Sequence, residues 1–483
     1  MKHKFLILLN LNCFLFFCVT EPAVGMPLSQ DQVIALVLKQ GLKTKEIQFQ
    51  FAQNQLAEVL ALSSFDWKLN LESGFEYDRS RAWSPFVAAN SKYERIRTTL
   101  GLQKQLTSGT LLGFEINRLS FKSEVGPSAS TTATSTIPTQ ASQESYGLLL
   151  EQSLWGNAFG ESDRAIVSAA RKNTLASDMT QIDELEKIVL ETLRQFWESS
   201  VAAKTYTQAV AARGRYQRLL DSARRKTKLG FANPGELSLA QAEVELRDQT
   251  VSNAKTEALL KQENLVTALN LKPGTMLEFL LPPLASQPTQ SSAPAISQIR
   301  LLQAQKLKAE ASEDLLAAAR SRNAPSLSFV AKSYLSGADE TDSNSFNAAM
   351  SGVNPKYYVG MKFSHSFGSD LRQEEIRNKQ AMADLEKSKL SRLTLENADL
   401  LNQALRKVQS TSEIAQSAAR LNEFRKAIVQ ELTVSYGQGR VDLRALIEAM
   451  NNELSAEVIL TRTIGDAQMA QLELAALKDE LIH

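Results

Sequence analysis

Two long proline-free stretches most constrain how this chain can fold. They run from about Gly160 to Leu229 and from about Asp370 to Tyr436, and each is close to 70 residues long. At about 1.5 Å per residue, a continuous helix of that length measures about 105 Å. A rod of this size does not fit inside a compact domain formed by 483 residues. The sequence therefore predicts an elongated molecule built around two helical rods.

Apolar residues recur every seven positions along both stretches, a spacing typical of coiled-coil packing in water. The stripe of the second stretch is interrupted by Asn422. The remaining positions are mostly Lys, Arg, Glu, Gln and Ser, which indicates a solvated surface. The stripe positions are Ile182, Val189, Phe196, Ala203 and Val210 in the first stretch, and Leu401, Val408, Ala415 and Val429 in the second.

Shorter helices are predicted beside the rods. Each rod ends in a glycine-rich break, KLGFANPG from Lys228 and YGQGRVD from Tyr436, and a helical pattern resumes after it. We expect helices over 236–271 and 296–323 to stack end to end beside the first rod. Helices over 29–63 and 442–481 are expected beside the second.

The second half of the chain repeats the first. YGLLLEQSLWG (146–156) and YVGMKFSHSFG (358–368) each precede a long helical stretch. We therefore expect a signal peptide at 1–25, a first repeat at 26–284 and a second at 285–483. Each repeat would consist of a helix, strands, a long helix, a turn and a helix.

The segment DWKLNLESGFEYD (66–78) has the alternation of a strand with one apolar face. A half-buried strand in a soluble sandwich and a strand facing lipid both fit this pattern. The apolar positions are Trp67, Leu69, Leu71, Phe75 and Tyr77.

Further alternating segments cover 146–154, 327–335 and 357–367, and each is close to the ~9–11 residues with which a tilted strand crosses a bilayer. A hairpin is predicted over 95–121, with a tight turn at 107–109. The connections at 79–94, 123–144 and 336–356 are long and polar, and this alternation of short turns and long loops is typical of outer-membrane barrels. Four strands, or six if the hairpin joins them, leave edges that cannot stay unpaired in lipid, so several copies must share one barrel.

The termini and the overall composition exclude other classes. Residues 1–25 have the pattern of a secretory signal peptide and contain both cysteines, Cys13 and Cys18. The chain is nearly neutral, with 54 basic and 53 acidic residues, which argues against nucleic acid as a partner. His365 and His483 lack the spaced partners of a metal site, and GFANPG lacks the lysine of a phosphate loop. We therefore expect no enzyme activity, no cofactor and no metal.

Taken together, the residues resemble those of the TolC-like outer-membrane efflux proteins. The opening helix LSQDQVIALVLKQGLKTKEIQFQFAQNQLAE (28–58) is similar to theirs, although GLKTK stands where an Asn-Pro pair is common. RNAPSLSFVAKSYLSG (322–337) is similar to their entry into the second strand set. The resemblance implies an α+β membrane protein: a homotrimer whose shared transmembrane β-barrel, of four or six strands per chain, continues into a long periplasmic α-helical coiled-coil barrel.

The same resemblance implies a passive exit duct in the outer membrane. The duct would belong to a tripartite efflux or type I secretion system, with a periplasmic adaptor and an inner-membrane pump as partners. A soluble periplasmic coiled-coil scaffold or adaptor is the alternative.

Site residues also follow from the resemblance. Asp442 and Glu448 would form a periplasmic gate, although Ala445 stands where a further acidic residue is common. The turns at the ends of the rods would contact the adaptor, or would serve only as tight turns. The residues concerned are Gly230, Phe231, Asn233, Pro234, Gly235, Gly437, Gly439, Arg440 and Val441.

Overall fold

The computed structural model describes residues 26–79, 90–125, 140–280, 299–368 and 370–482. The expected signal peptide, His483 and the expected repeat boundary at residue 284 lie outside these ranges. Both predicted rods are present: α3 is Glu161–Lys228 and α7 is Asp370–Gly437, each of 68 residues. The prediction of an elongated molecule built on two long helices is confirmed.

The shorter helices lie beside the rods, and their arrangement differs from the prediction in one respect. They are α1 (Gln30–Gln40), α2 (Leu42–Leu62), α4 (Glu236–Ala268), α5 (Arg300–Arg322) and α8 (Leu443–Leu477). As predicted, α3 contacts both α4 and α5, and α8 lies along α7. The N-terminal helices, however, pack mainly against α3 rather than α7. Helix α5 takes the place beside α7 that was expected for the N-terminal helix.

The predicted helix over 29–63 is divided at Gly41, which has φ −57° and ψ 133°. The Gly41 N–H and the Thr44 hydroxyl both donate to the Val37 carbonyl, at 3.0 and 2.9 Å. A Cβ at residue 41 would lie 2.6 Å from that carbonyl oxygen, so the close approach requires glycine. This break was not predicted, because the segments on both sides of Gly41 have strongly helical patterns.

A six-stranded antiparallel sheet adjoins the ends of the rods, with its strands in chain order. The predicted hairpin lies in the middle of this sheet, so the chain contributes six strands and not four. Two repeats thus form one sheet, joined where the strand Gln140–Trp155 pairs with the strand Ser326–Asp339. The strands are β2 (Trp67–Asp78), β3 (Asn90–Gln105), β4 (Thr110–Val125), β5 (Gln140–Trp155), β7 (Ser326–Asp339) and β8 (Pro355–Ser364).

Two further features were not predicted. β1 (Met26–Leu28) and β6 (Leu277–Phe279) form a short parallel pair. A nine-residue helix, α6 (Asp342–Met350), lies inside the connection that was predicted to be an irregular loop. Thr341 caps it, with its hydroxyl accepting from the Asn344 N–H at 3.4 Å.

The heptad stripes are largely buried, as coiled-coil packing requires. Val189 and Phe196 are 0% exposed, and the Leu401, Val408 and Ala415 side chains are also buried. Asn422 is buried too, so the stripe of α7 continues through its polar interruption. Val210 differs, because 44% of it is exposed.

A buried ion cluster joins α3 to the start of α5 and the C-terminal segment. The Arg300 guanidinium lies 2.5 Å from the Glu186 carboxylate and 3.4 Å from that of Asp479. The Leu481 N–H donates to Glu186 at 3.0 Å. Burial raises the pKa of Glu186 to about 7, against the opposing effects of Arg300 and the Leu481 N–H.

Candidate functional site: two sheet faces and two helix turns

One face of the sheet is apolar, and we call it the apolar face. The five predicted residues of β2 share it: Leu69, Leu71 and Phe75 are 67%, 70% and 65% exposed, Trp67 58% and Tyr77 45%. The strand register continues the face across the sheet, where it includes Ile96, Leu100, Leu102, Leu112, Phe114, Ile116, Leu148, Leu150, Phe329, Val359, Met361 and Phe363. Exposure of so many large apolar side chains on one surface marks a site of contact with lipid or protein.

The opposite face, which we call the polar face, carries charged and amide side chains. Glu76 accepts a hydrogen bond from the Tyr93 hydroxyl at 2.9 Å and pairs with Arg95 at 3.2 Å. Its polar residues include Lys68, Asn70, Glu72, Arg97, Gln103, Glu115, Asn117, Glu151, Lys332, Lys356 and Lys362. Polar side chains on one face and apolar ones on the other suit a wall between water and lipid.

A tyrosine on the polar face lies against the backbone of the neighbouring strand. Tyr334 is paired with Gly147 in the register. A Cβ at residue 147 would lie 2.3 Å from the Tyr334 ring. The missing side chain of Gly147 therefore makes room for the ring beside residue 147.

The turn between α3 and α4 is held by its backbone and by Glu236. Gly230 and Gly235 have φ of +74° and +82°, values that favour glycine. The Glu236 carboxylate accepts from the Asn233 N–H at 2.9 Å. Phe231 is 79% exposed at the end of the molecule, and Pro234 is exposed beside it.

The turn between α7 and α8 differs in its use of glycine. Gly439 has φ of +72°, whereas Gly437 is the last helical residue and has no such requirement. The Arg440 N–H donates to the Ser435 carbonyl at 2.9 Å and closes the helix end. Arg440 is exposed and Val441 is half-buried.

The two turns are joined by a contact that was not predicted from the sequence. The Tyr436 hydroxyl donates to Glu236 at 2.6 Å, and the Lys226 ammonium donates to the Tyr436 carbonyl at 3.0 Å. Burial and the adjacent Glu236 carboxylate raise the pKa of Tyr436 above its ordinary value. A groove of about 520 Å³ lies between the turns, lined by Asn233, Pro234, Gly235, Glu236, Ser238, Leu239, Asp442, Leu443 and Arg444.

The structure gives the two predicted gate residues different environments. The Asp442 carboxylate caps α8 by accepting from the Ala445 N–H at 2.9 Å. Glu448 is exposed on the same helix and belongs to a stripe of exposed positions that includes Arg444 and Ser455. Asp442 therefore stabilises the start of α8, whereas the Glu448 side chain is exposed on the surface of the helix.

Among the described residues there is no group of three or more His, Cys, Asp or Glu side chains that could hold a metal ion. His365 packs edge-on against Phe367, with 4.7 Å between ring centroids. In the described ranges, no helix has both the length and the apolar character needed to cross a membrane.

Comparison with solved structures shows that this chain shares its fold with outer membrane proteins of known structure. No family model matches the chain, and no curated protein matches it. The chain superposes on CusC, whose structures concern transmembrane channel formation, with a TM-score of 0.67 at 15% identity, covering 93% of this chain and 91% of CusC. The outer membrane protein VceC of Vibrio cholerae gives 0.66 at 12% identity over 93% and 96% of the two chains. The Campylobacter jejuni outer membrane channel CmeC gives 0.64 at 14% identity over 93% and 85%.

These similar proteins are outer membrane proteins and channels and not enzymes. At such low identity the likeness establishes the fold, which includes the strand region, the long helices and the two-repeat plan. The resemblance found in the sequence is thereby confirmed at the level of the fold: this chain has the fold of the TolC-like outer membrane channels.

Proposed function

We propose that this protein is an outer membrane channel and serves as the passive exit duct of a tripartite efflux or type I secretion system. The observation that carries the proposal is the two-faced sheet at one end of two 68-residue helices. In a bilayer the apolar face meets lipid, and the polar face lines water. The helices extend the duct into the periplasm by about 100 Å at about 1.5 Å per residue.

The free edges of the sheet support assembly of several copies. β2 and β8 are the two edge strands, and unpaired backbone groups are costly in lipid. Three copies of a six-stranded sheet give eighteen strands, and barrels of about 16–18 strands enclose a water-filled channel. On the polar face, β2 carries Lys68, Glu72, Glu76 and Asp78, a net negative charge, whereas β8 carries Lys356 and Lys362, so the edges that would meet have opposite net charges.

The helices also present apolar surface that a single copy leaves open. On α2, Phe49, Leu56 and Leu60 are 72%, 58% and 61% exposed. On α7, Ile414, Leu421 and Ile428 recur every seven residues and are 52%, 42% and 39% exposed. Exposed stripes with coiled-coil spacing are suited to helices of a neighbouring copy. A homotrimer would thus bring α2 beside the α7 of another copy, where the sequence analysis expected an N-terminal helix.

The turns are the proposed contact with a periplasmic adaptor, which would connect the duct to an inner-membrane pump. Phe231 and Pro234 project at the end of the rods, and the groove between the turns could receive an adaptor side chain. Glu448, on the exposed side of α8 near the same end, is proposed to narrow the aperture together with Asp442.

Fractionation combined with conductance measurement tests the function. We expect the chain in the outer membrane fraction, as a detergent-resistant trimer that produces single-channel steps in a planar bilayer. A water-soluble monomer without conductance would overturn the proposal and favour the periplasmic scaffold. The exposed apolar face argues against that alternative.

A further inference from the structure

The short helix α6 lies on the apolar face of the sheet, at the end remote from the long helices. It contacts β5 and β7. The Ser345 hydroxyl donates to the Ser142 hydroxyl at 3.3 Å, and Phe346 packs edge-on against Tyr146 with 6.0 Å between centroids. β5 begins at Gln140 and leads through Trp155 into α3, so Ser142 and Tyr146 lie towards the far end of that strand.

Close packing fixes α6 on the sheet. Ser345 is 0% and Ala349 1% exposed, and both are small. Beneath them Gly337 has no side chain, and a Cβ there would lie 2.1 Å from the Ser345 carbonyl oxygen. Helix and sheet backbones therefore approach as closely as the atoms allow.

The helix covers polar groups that the apolar face would otherwise expose. Ser142 and Glu144 are only 2% and 6% exposed, although both point to the apolar face. Glu144 accepts from the Tyr146 hydroxyl at 2.7 Å and lies 3.7 Å from the Arg118 guanidinium. Arg118 in turn forms an ion pair with Asp342 in the first turn of α6. A carboxylate facing hydrocarbon without such partners is strongly unfavourable, so this cover suits a face in contact with lipid.

The outward side of α6 is divided into an apolar and a polar strip. Phe346 and Met350 are 44% and 46% exposed and lie one turn apart, with Val353, 75% exposed, just beyond. Ser343 and Asn347 are exposed and form an adjacent strip at the same spacing. Such a division is typical of helices that lie in a membrane interface, with the apolar strip towards the acyl chains and the polar strip towards the headgroups.

We propose that α6 is an interfacial helix at the outer boundary of the bilayer, with Phe346, Met350 and Val353 in contact with the acyl chains of the outer leaflet. This inference rests on the proposed function, because it requires the apolar face to meet lipid. Acyl chains are assigned as the contact for two reasons. The exposed apolar side chains of α6 are continuous with the apolar face, and the helix buries polar groups beneath it.

Site-directed spin labelling tests the proposal in the assembled protein. Cys13 and Cys18 are the only cysteines, so a Cys13→Ala, Cys18→Ala background accepts single labels. Labels are placed by Phe346→Cys, Leu71→Cys, Phe231→Cys and Asn347→Cys in proteoliposomes. Collision rates are then measured with oxygen, which concentrates in the bilayer, and with a water-soluble nickel chelate.

At residues 346 and 71 we expect the collision rate with oxygen to exceed that with the nickel chelate severalfold. At residue 231 we expect the nickel chelate to give the higher rate. The ratio of the oxygen rate to the nickel rate should be lower at 347 than at 346. A nickel-dominated label at 346 beside an oxygen-dominated one at 71 would refute the role of α6 while leaving the channel intact. Low access of both reagents at 346 would indicate cover by a neighbouring copy and would also refute it. A nickel-dominated label at 71 would instead overturn the proposed function.

Discussion

The Tyr436 hydroxyl, one residue before the end of α7, donates a 2.6 Å hydrogen bond to the Glu236 carboxylate at the start of α4. Both residues are buried, at 4% and 7% exposure. The bond ties the two turns of the chain to each other. Because Glu236 also accepts from the Asn233 N–H, one carboxylate fixes the shape of the first turn and its position relative to the second.

Tyr436→Phe is therefore expected to lower the free energy of unfolding by about 1–3 kcal/mol, since one oxygen of the buried Glu236 carboxylate loses its donor. Chemical denaturation of the detergent-solubilised protein, followed by far-UV circular dichroism, measures the change. Tyr206→Phe, on the partly exposed surface of α3, is the matched control and should stay within about 0.5 kcal/mol of the parent. Equal losses in the two variants would contradict a specific role for the Tyr436 bond.

Alanine variants of two glycines at the turns distinguish a glycine required by the backbone conformation from one that contacts a partner protein. Gly235→Ala should cost about 1–2 kcal/mol, because residue 235 has φ of +82°. Gly437→Ala should leave stability unchanged or slightly raised, because residue 437 is helical and open space surrounds it. If Gly437 contacts the adaptor, its alanine variant will weaken adaptor binding at least tenfold in a titration. Unchanged binding would leave Gly437 a turn residue only.

Neighbouring residues of β2 test the orientation of the sheet. Leu71→Arg places a charge on the apolar face and should destabilise the inserted protein by about 2–4 kcal/mol if that position lies near the bilayer midplane. Asn70→Arg places the same charge on the polar face and should assemble normally. The amount of detergent-resistant trimer in outer membranes measures both, and a reversed order would contradict the assignment of the faces.

Stability should depend on pH through Glu186. Its pKa is raised to about 7 in the folded chain, whereas an exposed Glu titrates near about 4.3. Between these values the folded state binds more protons than the unfolded state, so this contribution to stability falls as pH rises from about 4 to 7 and is constant above. At about 1.4 kcal/mol per pKa unit, the loss is at most about 4 kcal/mol. Thermal unfolding across this range should show the trend, and Glu186→Gln should abolish it. A variant that keeps the same slope would assign the pH dependence to other groups.

Glu448→Ala should raise single-channel conductance if the carboxylate narrows the aperture. Ser455→Ala, two turns further along the exposed stripe of α8, is the matched control and should leave conductance unchanged. Asp442→Asn removes a charge while keeping a side chain that caps helices well. If Asp442 also belongs to the gate, that variant will raise conductance without loss of stability. No change in either acidic variant would remove the pair from the gate.

The sequence predicted those parts of the fold whose cause lies within one segment. Both rods follow from the absence of proline and the sevenfold apolar spacing, and the strands follow from alternation, as in 66–78. The exposure of Trp67 and Leu71 was also predictable, because each pattern shows which side chains share a face.

Features that depend on distant partners were not predictable. Helix α6 contains Ser, Asn and Ala within a polar connection. Its position on the sheet depends on Gly337 of β7 and on Ser142 of β5, which is about 200 residues away in the sequence. Helices α1 and α2 pack on α3. The choice of packing partner depends on which other helices of the chain are adjacent, and a local sequence pattern does not encode it. The contact between Glu236 and Tyr436 joins residues 200 positions apart. The only signals of this contact in the sequence were an acidic residue directly after one glycine-rich turn, Glu236, and an aromatic residue just before the other, Tyr436.

The close approach of the Tyr334 ring to Gly147 has a consequence for permeation in the proposed channel. A Cβ at residue 147 would lie 2.3 Å from the ring, so in that channel a larger residue is expected to displace the phenol from the polar face towards the water-filled interior. We therefore expect Gly147→Ala to act as a partial plug, with reduced ion flow through a protein that still assembles.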